Sequence, residues 1–474
     1  MTDTIAIPAR SVPVLGRFDV AVCGGGPSGC AAAIAAARGG ARTVLIEGDG
    51  HLGGSTIDSL VCVVLSTNGQ DFQGIWHEWI RALQRRRGVS PFIGHPPHIH
   101  ATVVPELVKY AWDDLCAAAG VTQLLHALVS GAVVEDGVVR GVQVETRAGH
   151  GAIMAERVID CTGDGLLCHH AGVPWDQGDG VSPWAMALTK VCRIGGAPRP
   201  ENWPDEAAIA RIDRALEQAV AAGEFTSPVL AERKRFLGYV RGWLWTMPGE
   251  RNEVLSVLSR VLRINPLDPW DLTRAEREGR HHCWETAEAW RRFVPNCEHA
   301  YLNDTSAAIG VRQSRRIRGL ATATALDAVE FRTHADEIAR SSWDIDVWPA
   351  DSYSAPAVDR NSERWKARAE HMKRGAYFSI RYGSLVPQGV DGLLMAGRCL
   401  SAEHVAESSL RIQQTCQATG QAAGTAAVMS LQAGVQPRLL DLPLLQARLA
   451  RERDVEPAWA PPHASASGAP GPAR

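Results

Sequence analysis

The chain has 474 residues, with 49 Lys and Arg against 52 Asp and Glu, for a formal net charge of −3. That balance gives no electrostatic basis for binding nucleic acid or an anionic membrane, and no uninterrupted apolar run reaches the roughly 18 residues that a spanning helix needs. The 11 cysteines are odd in number and scattered without a Cys-x-x-Cys, so redox-dithiol and ferredoxin-type spacings are missing and the cysteines read as reduced, buried fillers.

Residues 1–17 read as a lead-in arm. They hold Asp3 and Arg10 and no apolar signal core, so export is not expected and a cytoplasmic location is. Asp19 to Glu47 then spell a strand, a glycine turn, a small-residue helix from Pro27 to Arg38 and a second strand ending in a carboxylate. Gly24 allows the tight turn, Gly26 admits a pyrophosphate against the backbone, and Gly29 lets the helix pack on the sheet. Pro27 and Ser28 open the helix, whose N–H groups and positive dipole end suit phosphate. Glu47, at the end of the second strand, suits an unphosphorylated ribose. The flanking strands and the spaced acid make this a dinucleotide site rather than a chance glycine spacing.

Leu52-Gly53-Gly54-Ser55 offers a second close backbone approach. The run Arg85-Arg86-Arg87 ends a Trp- and Leu-containing helix before Gly88, where cations offset the dipole, and carries no site role. A Glu-Asp-Gly turn between Glu135 and Val144 separates two alternating apolar stretches, as in an antiparallel meander; Val129, just before it, is either an adenine contact through its backbone or plain packing. Val158-Ile159-Asp160-Cys161-Thr162-Gly163-Asp164-Gly165 is a buried strand ending in a small-residue turn. Residues 175–376 change character: they hold eleven of the 15 tryptophans, helical stretches at Pro204–Ala222 and Leu272–Phe293, and no glycine motif. They read as an inserted substrate domain with an aromatic or apolar pocket, although most of the tryptophans suit a core equally well. The pairs His169/His170 and His281/His282 lack spaced ligand partners and are not read as metal sites.

Gly392-Leu393-Leu394-Met395-Ala396-Gly397-Arg398 repeats the strand-to-glycine logic, and a helix from about Thr415 to Ala433 follows. Together these segments resemble the FAD-dependent oxidoreductases of the glutathione-reductase-like superfold. The likeness runs through Phe18–Ser55, Arg157–Pro174, Ile309–Gly319, Ala339–Asp346 and Tyr382–Ala427. The resemblance implies an α/β chain: a Rossmann-like FAD-binding domain, parallel sheet with antiparallel β-meander, plus an inserted α+β substrate domain. The expected division is arm 1–17, FAD-binding portions 18–174 and 377–434 around the insert 175–376, and a C-terminal segment 435–474, disordered from about 456. It implies FAD contacts at Gly24, Gly26, Pro27, Ser28, Gly29, Glu47, Gly53, Gly54, Ser55, Val129, Thr162, Gly163, Asp164, Gly397 and Arg398. The start of the C-terminal helix, at Gln414, Thr415 and Cys416, is placed at the flavin edge where charge develops on reduction. His51, beside Leu52, has no counterpart attachment histidine in the family, so noncovalent FAD is expected.

Three residues are catalytic candidates. His404 lies between the Arg398 turn and the flavin helix, suited either to proton transfer or to a structural hydrogen bond. Arg312 shares a face with Arg315 or Arg316 if Ile309–Ile317 is helical, as a clamp for a carboxylate or a flavin phosphate or as a solvated basic face. Arg411 sits near the flavin edge. Between Gly165 and Gly392 there is no second glycine βαβ unit, so no NAD(P)H domain is expected, and electrons would be exchanged with oxygen, a quinone or a protein carrier. The expected partner is a small-molecule substrate, with no nucleic acid, no membrane span and a possible homo-oligomer. The alternatives are a flavoprotein electron-transfer subunit, disfavoured by the missing cluster cysteines, and an RNA-modifying flavoprotein, disfavoured by the charge balance.

Overall fold

The computed structural model describes residues 5, 11–197, 206–231, 244–249, 252–353 and 363–458. Its centre is a seven-stranded mixed sheet. Val14–Cys23 lies between Thr43–Ile46 and Gly149–Asp160, parallel to both, and Thr122–Leu124 extends the parallel side. Val20, Ala21, Val22 and Cys23 are wholly buried, as in a parallel strand covered on both faces. On its other edge Gly149–Asp160 serves two partners. Its first half pairs antiparallel with Val138–Thr146, while Val158, Ile159 and Asp160 pair in parallel with Leu393, Leu394 and Met395. Leu128–Glu135 completes the antiparallel meander, with the Glu-Asp-Gly segment as its hairpin turn.

The helix Pro27–Arg38 starts with proline at its first turn and is buried from Ser28 to Ala36. Proline there is pre-organised for the helix and gives up only an N–H that has no intrahelical partner. The helix packs against Gln413–Gln432, and glycine permits the approach: a Cβ on Gly420 would stand 2.0 Å from the carbonyl oxygen of Ser28, and one on Gly424 2.1 Å from that of Ala32. The two helices thus lie backbone to backbone behind the sheet, holding both their N-terminal ends beside it.

The middle of the chain contributes a four-stranded antiparallel sheet, in the order Leu244–Thr246, Glu253–Ser256, Cys192–Gly195, Tyr301–Thr305. The helices Glu206–Ala221 and Pro269–Phe293 join it in a separate core that includes Ile194, Ile212, Leu216 and Trp290. Asp268 caps the long helix by accepting from the Trp270 N–H. Trp290 and Trp348 are buried whereas Trp270 and Trp284 are exposed, so the tryptophan enrichment does not converge on one pocket.

Ile309–Arg315 is extended rather than helical: Gly310 bridges Thr189, and Arg316–Ile317 pairs with Trp175–Asp176. The helical face expected for Arg312, Arg315 and Arg316 therefore does not exist. Branched Ile309, Val311 and Ile317 around a glycine favour the extended form. Beyond Gly434 the chain packs back as a helix, Leu442–Glu452, through buried Leu445 and Leu449. Most of the tail expected to be disordered lies outside the described residues, as does most of the N-terminal arm. All 11 cysteines are buried and unbridged. Among the described residues no group of side chains is placed to hold a metal ion, and no helix is long and apolar enough to cross a membrane.

Candidate functional site

The glycine turn joins the end of Val14–Cys23 to the start of Pro27–Arg38. The first intrahelical bond runs from the Cys30 N–H to the Gly26 carbonyl, 3.0 Å, which leaves the earlier N–H groups of Ser28 and Gly29 at the helix mouth. A Cβ on Gly29 would lie 1.8 Å from the Gly24 carbonyl oxygen, so that glycine is demanded by packing; a Cβ on Gly26 would meet nothing within 4 Å. Open space over Gly26 beside free N–H groups is the cradle a pyrophosphate requires. Glu47 Oε2 accepts from the Gly25 N–H at 2.6 Å and Oε1 from the Asp49 N–H at 3.0 Å. Gly54, the residue before the short helix Ser55–Asp58, comes against Gly26 from the other side. Val129 is buried in the outermost meander strand, two residues after Ala127, whose N–H donates to the Glu47 carbonyl at 2.9 Å.

A second turn closes over the first. Buried Asp160 accepts from the Thr162 N–H and hydroxyl and from the Cys168 N–H, at 3.0, 2.7 and 2.9 Å. Asp164 pairs with Arg398 at 2.6 Å and accepts from the Ser314 hydroxyl at 2.6 Å. Burial pushes the Asp164 carboxyl up, but Arg398 and Ser314 outweigh it and hold the group below the usual range. Gly163 lies against Arg398, and Gly397 against the Ser28 hydroxyl and Cys416. The Asp160–Asp164 turn, the Gly397–Arg398 turn and both helix starts therefore meet in one place.

At the start of Gln413–Gln432 the first i→i−4 bond is Cys416 N–H to Ile412 carbonyl, 2.9 Å. The N–H groups of Gln413, Gln414 and Thr415 precede it. The Gln414 side chain turns away to donate to Asp71 at 2.9 Å and to the Leu65 carbonyl. Gln413 Oε1, Thr415 Oγ1 and both amide atoms of Gln417 are buried without a hydrogen-bond partner among the described residues. Orphaned polar atoms around a helix start mark a place built to receive a polar ligand.

Beside it lies a linked set. His404 Nδ1 faces Gln313 Oε1 at 2.8 Å, and Gln313 Nε2 donates to Glu407 Oε2 at 2.5 Å. Because the amide nitrogen points at the carboxylate, the amide oxygen is the atom that faces His404 Nδ1, and the Gly178 backbone hydrogen-bonds the same ring. Burial, and then the Arg316 guanidinium, hold the imidazole below its usual value. Glu407 is 1 % exposed, its Oε1 has no partner among the described residues, and burial raises its carboxyl to about 7 against the pull of Arg411, Arg398 and Arg316. Arg411 is anchored on Asp346 at 2.7 Å. Arg312 stands apart: it donates to the Ala187 carbonyl and to Thr189 Oγ1 and lies 5.5 Å from the Trp348 ring. Gln313 and Glu407 were not singled out from sequence. Glu407 was detectable as the only acid between Val405 and Leu410, one helical turn from His404; Gln313 carried no such mark.

Two helix starts aimed at one cleft, one beside a glycine turn and an acid, define a dinucleotide-binding protein of Rossmann type. A family model described as FAD dependent oxidoreductase matches residues 19–449, and the chain belongs to that family. It is an enzyme, and FAD is its cofactor. Similar solved structures include a geranylgeranyl bacteriochlorophyll reductase-like protein from Thermoplasma acidophilum, at 13% identity over 92% of this chain and 83% of that one, TM-score 0.41. The anhydrotetracycline hydroxylase OxyS from Streptomyces rimosus is 13% identical over 92% and 66%, TM-score 0.41. A triple mutant of the flavin-dependent brominase Bmp2 is 12% identical over 92% and 84%, TM-score 0.43. These likenesses are too distant to transfer a substrate or mechanism. A search of curated proteins found no match.

The residues present fit FAD: Gly26 has an open side beside the helix start, Glu47 stands at the glycine turn, and the Gln413 and Thr415 atoms have no partner among the described residues.

Proposed function

We propose that this protein passes a hydride between a small organic substrate and noncovalently bound FAD, and that it has no nicotinamide domain of its own. One observation carries the second half. Every pairing of strands between Trp175 and Arg381 among the described residues is antiparallel, whereas a nicotinamide domain requires a second parallel βαβ unit with its own glycine turn. In this reading Ser28 and Gly29 hold the pyrophosphate, Glu47 the ribose, and the N–H groups of Gln414 and Thr415 the flavin's pyrimidine edge. Bound FAD supplies the hydride chemistry. The chain's residues handle the proton: Gln313 and the Gly178 backbone hold the His404 ring beside the flavin end, and Glu407, near neutrality, takes up or releases a proton at the other end of the Gln313 amide. Arg312, committed to Ala187 and Thr189, positions that segment.

The test is anaerobic stopped-flow flavin reduction against a panel of small organic substrates, with NADH and NADPH included. Neither nicotinamide is expected to bleach the flavin on the turnover timescale; rapid bleaching by either defeats the reading. With a reducing substrate in hand, His404→Ala is expected to retain FAD and to slow flavin reduction by roughly 10²-fold, flattening its pH dependence near neutrality. Loss of FAD in that variant would assign His404 to the cofactor instead.

A further inference from the structure

The run Arg85-Arg86-Arg87 ends its helix in an unexpected way. Gly88 N–H bonds the Leu83 carbonyl at 2.8 Å and Arg87 N–H that of Gln84 at 3.0 Å, the paired bonds of a Schellman ending. The left-handed residue is Arg87, with φ +55, although glycine stands next to it in the chain. An arginine is strained there where glycine would not be.

Arg87 lines a cavity of about 530 Å³, a size usual for small-molecule sites. Ile57, Leu60, Val104 and Leu107 give it apolar walls, and Ser306 and Pro248 close it from the central antiparallel sheet. The other charges on the lining are committed: Arg86 pairs with Asp114, Arg193 with Asp304, and Glu106 with Lys109. Arg87 is exposed and has no ion pair among the described residues. The 15-residue helix Pro105–Ala119, which has no side-chain cap and carries Glu106 in its first turn, starts on the lining. Ser306, 3 % exposed, has a hydroxyl without a partner among the described residues. None of these residues belongs to the FAD or proton-handling sets above.

We propose that this cavity binds a small organic monoanion, a carboxylate on a compact apolar body. One uncompensated guanidinium matches a single negative charge, and the branched walls match the body. The occupant also touches both halves of the molecule. Ile57 and Leu60 flank Asp58, whose carbonyl accepts the Ala308 N–H at 2.7 Å, so a bound anion clamps the segment after Gly54 to the central sheet.

The probe is cyclohexanecarboxylate, titrated calorimetrically into the FAD-loaded protein, with neutral cyclohexanecarboxamide as its control. Saturable binding of about one carboxylate per chain is expected, with no binding of the amide. Arg87→Gly suits the left-handed backbone, so it is expected to unfold at no lower temperature than the wild type while binding the carboxylate roughly tenfold or more weakly. Arg87→Lys should fall between the two. Absence of saturable binding to the wild type, equal affinity in Arg87→Gly, or amide binding as tight as the acid would each overturn the proposal.

Discussion

Replacing Gly26 by alanine separates the space this fold needs for itself from the space it keeps for its cofactor. Gly26 has φ −70, which alanine adopts freely, and an added methyl meets no atom within 4 Å. Stiffening the unfolded chain stabilises by about 0.4–1 kcal/mol, while alanine is the poorer residue before a helix by roughly the same amount. The two offset, so apoprotein stability should be unchanged. The methyl nevertheless occupies the cradle: crowding of about 1–3 kcal/mol, with the loss of even one hydrogen bond to an ionised phosphate at about 1.5–3 kcal/mol, gives at least ~10²-fold weaker FAD binding. Gly29→Ala is the contrasting case. Its methyl would stand 1.8 Å from a backbone oxygen, so the apoprotein itself should be destabilised by ~3 kcal/mol or more. Thermal unfolding of the two apoproteins and FAD titration followed by flavin fluorescence distinguish them. Wild-type FAD affinity in Gly26→Ala would refute the placement of the pyrophosphate.

Glu47→Ala removes an acceptor for ribose and also frees the Gly25 N–H, so FAD affinity should fall by roughly tenfold; unchanged affinity in the same titration would make Glu47 only a brace for the loop. Glu407 predicts a pH dependence of stability. Burial raises its carboxyl to about 7 from an unfolded value near ~4.3, so the native state holds the proton more tightly. The resulting stabilisation is complete below the unfolded value and is lost as pH rises through about 7. Glu407→Gln, neutral throughout, should be more stable than the wild type at pH 8 and show a shallower decline in thermal midpoint between pH 5 and 8. Asp58, raised to about 7 by burial and by Asp49 and Glu47, contributes to the slope that remains. An unchanged slope in Glu407→Gln would mean that Glu407 is ionised in the native protein throughout.

The parts of the molecule written in short-range pattern were legible from sequence. The strand, turn and helix from Asp19 to Arg38 announce themselves because glycine spacing, proline at the helix start and a continuous apolar strand all act within a few residues. The same holds for the meander hairpin. What escaped was set by contacts between distant segments. Arg312 looked helical by spacing, yet Gly310 is drawn into a bridge with Thr189, more than a hundred residues earlier. The link from His404 through Gln313 to Glu407 joins positions 91 and 94 residues apart, and no local periodicity encodes such a pairing. Arg87 illustrates the converse: its helix-end position was correctly read, but the cavity it borders is built by residues from five other segments, near positions 57–60, 104–107, 193, 248–249 and 304–307.

The backbone contact between Pro27–Arg38 and Gln413–Gln432 also shapes the order in which this protein can come into being. During synthesis the N-terminal glycine turn leaves the ribosome first, but the helix that covers its back and the strand Leu393–Met395 that fills the place beside Asp160 follow more than 350 residues later. At about 5–20 residues per second, the dinucleotide cleft waits on the order of twenty seconds or more for its last walls. The four-stranded antiparallel sheet and its helices, with a core of their own, can settle in the interval. Docking of Gln413–Gln432 on Pro27–Arg38 then joins the two ends of the chain, and until it does, an unfinished chain leaves that side of Pro27–Arg38 uncovered.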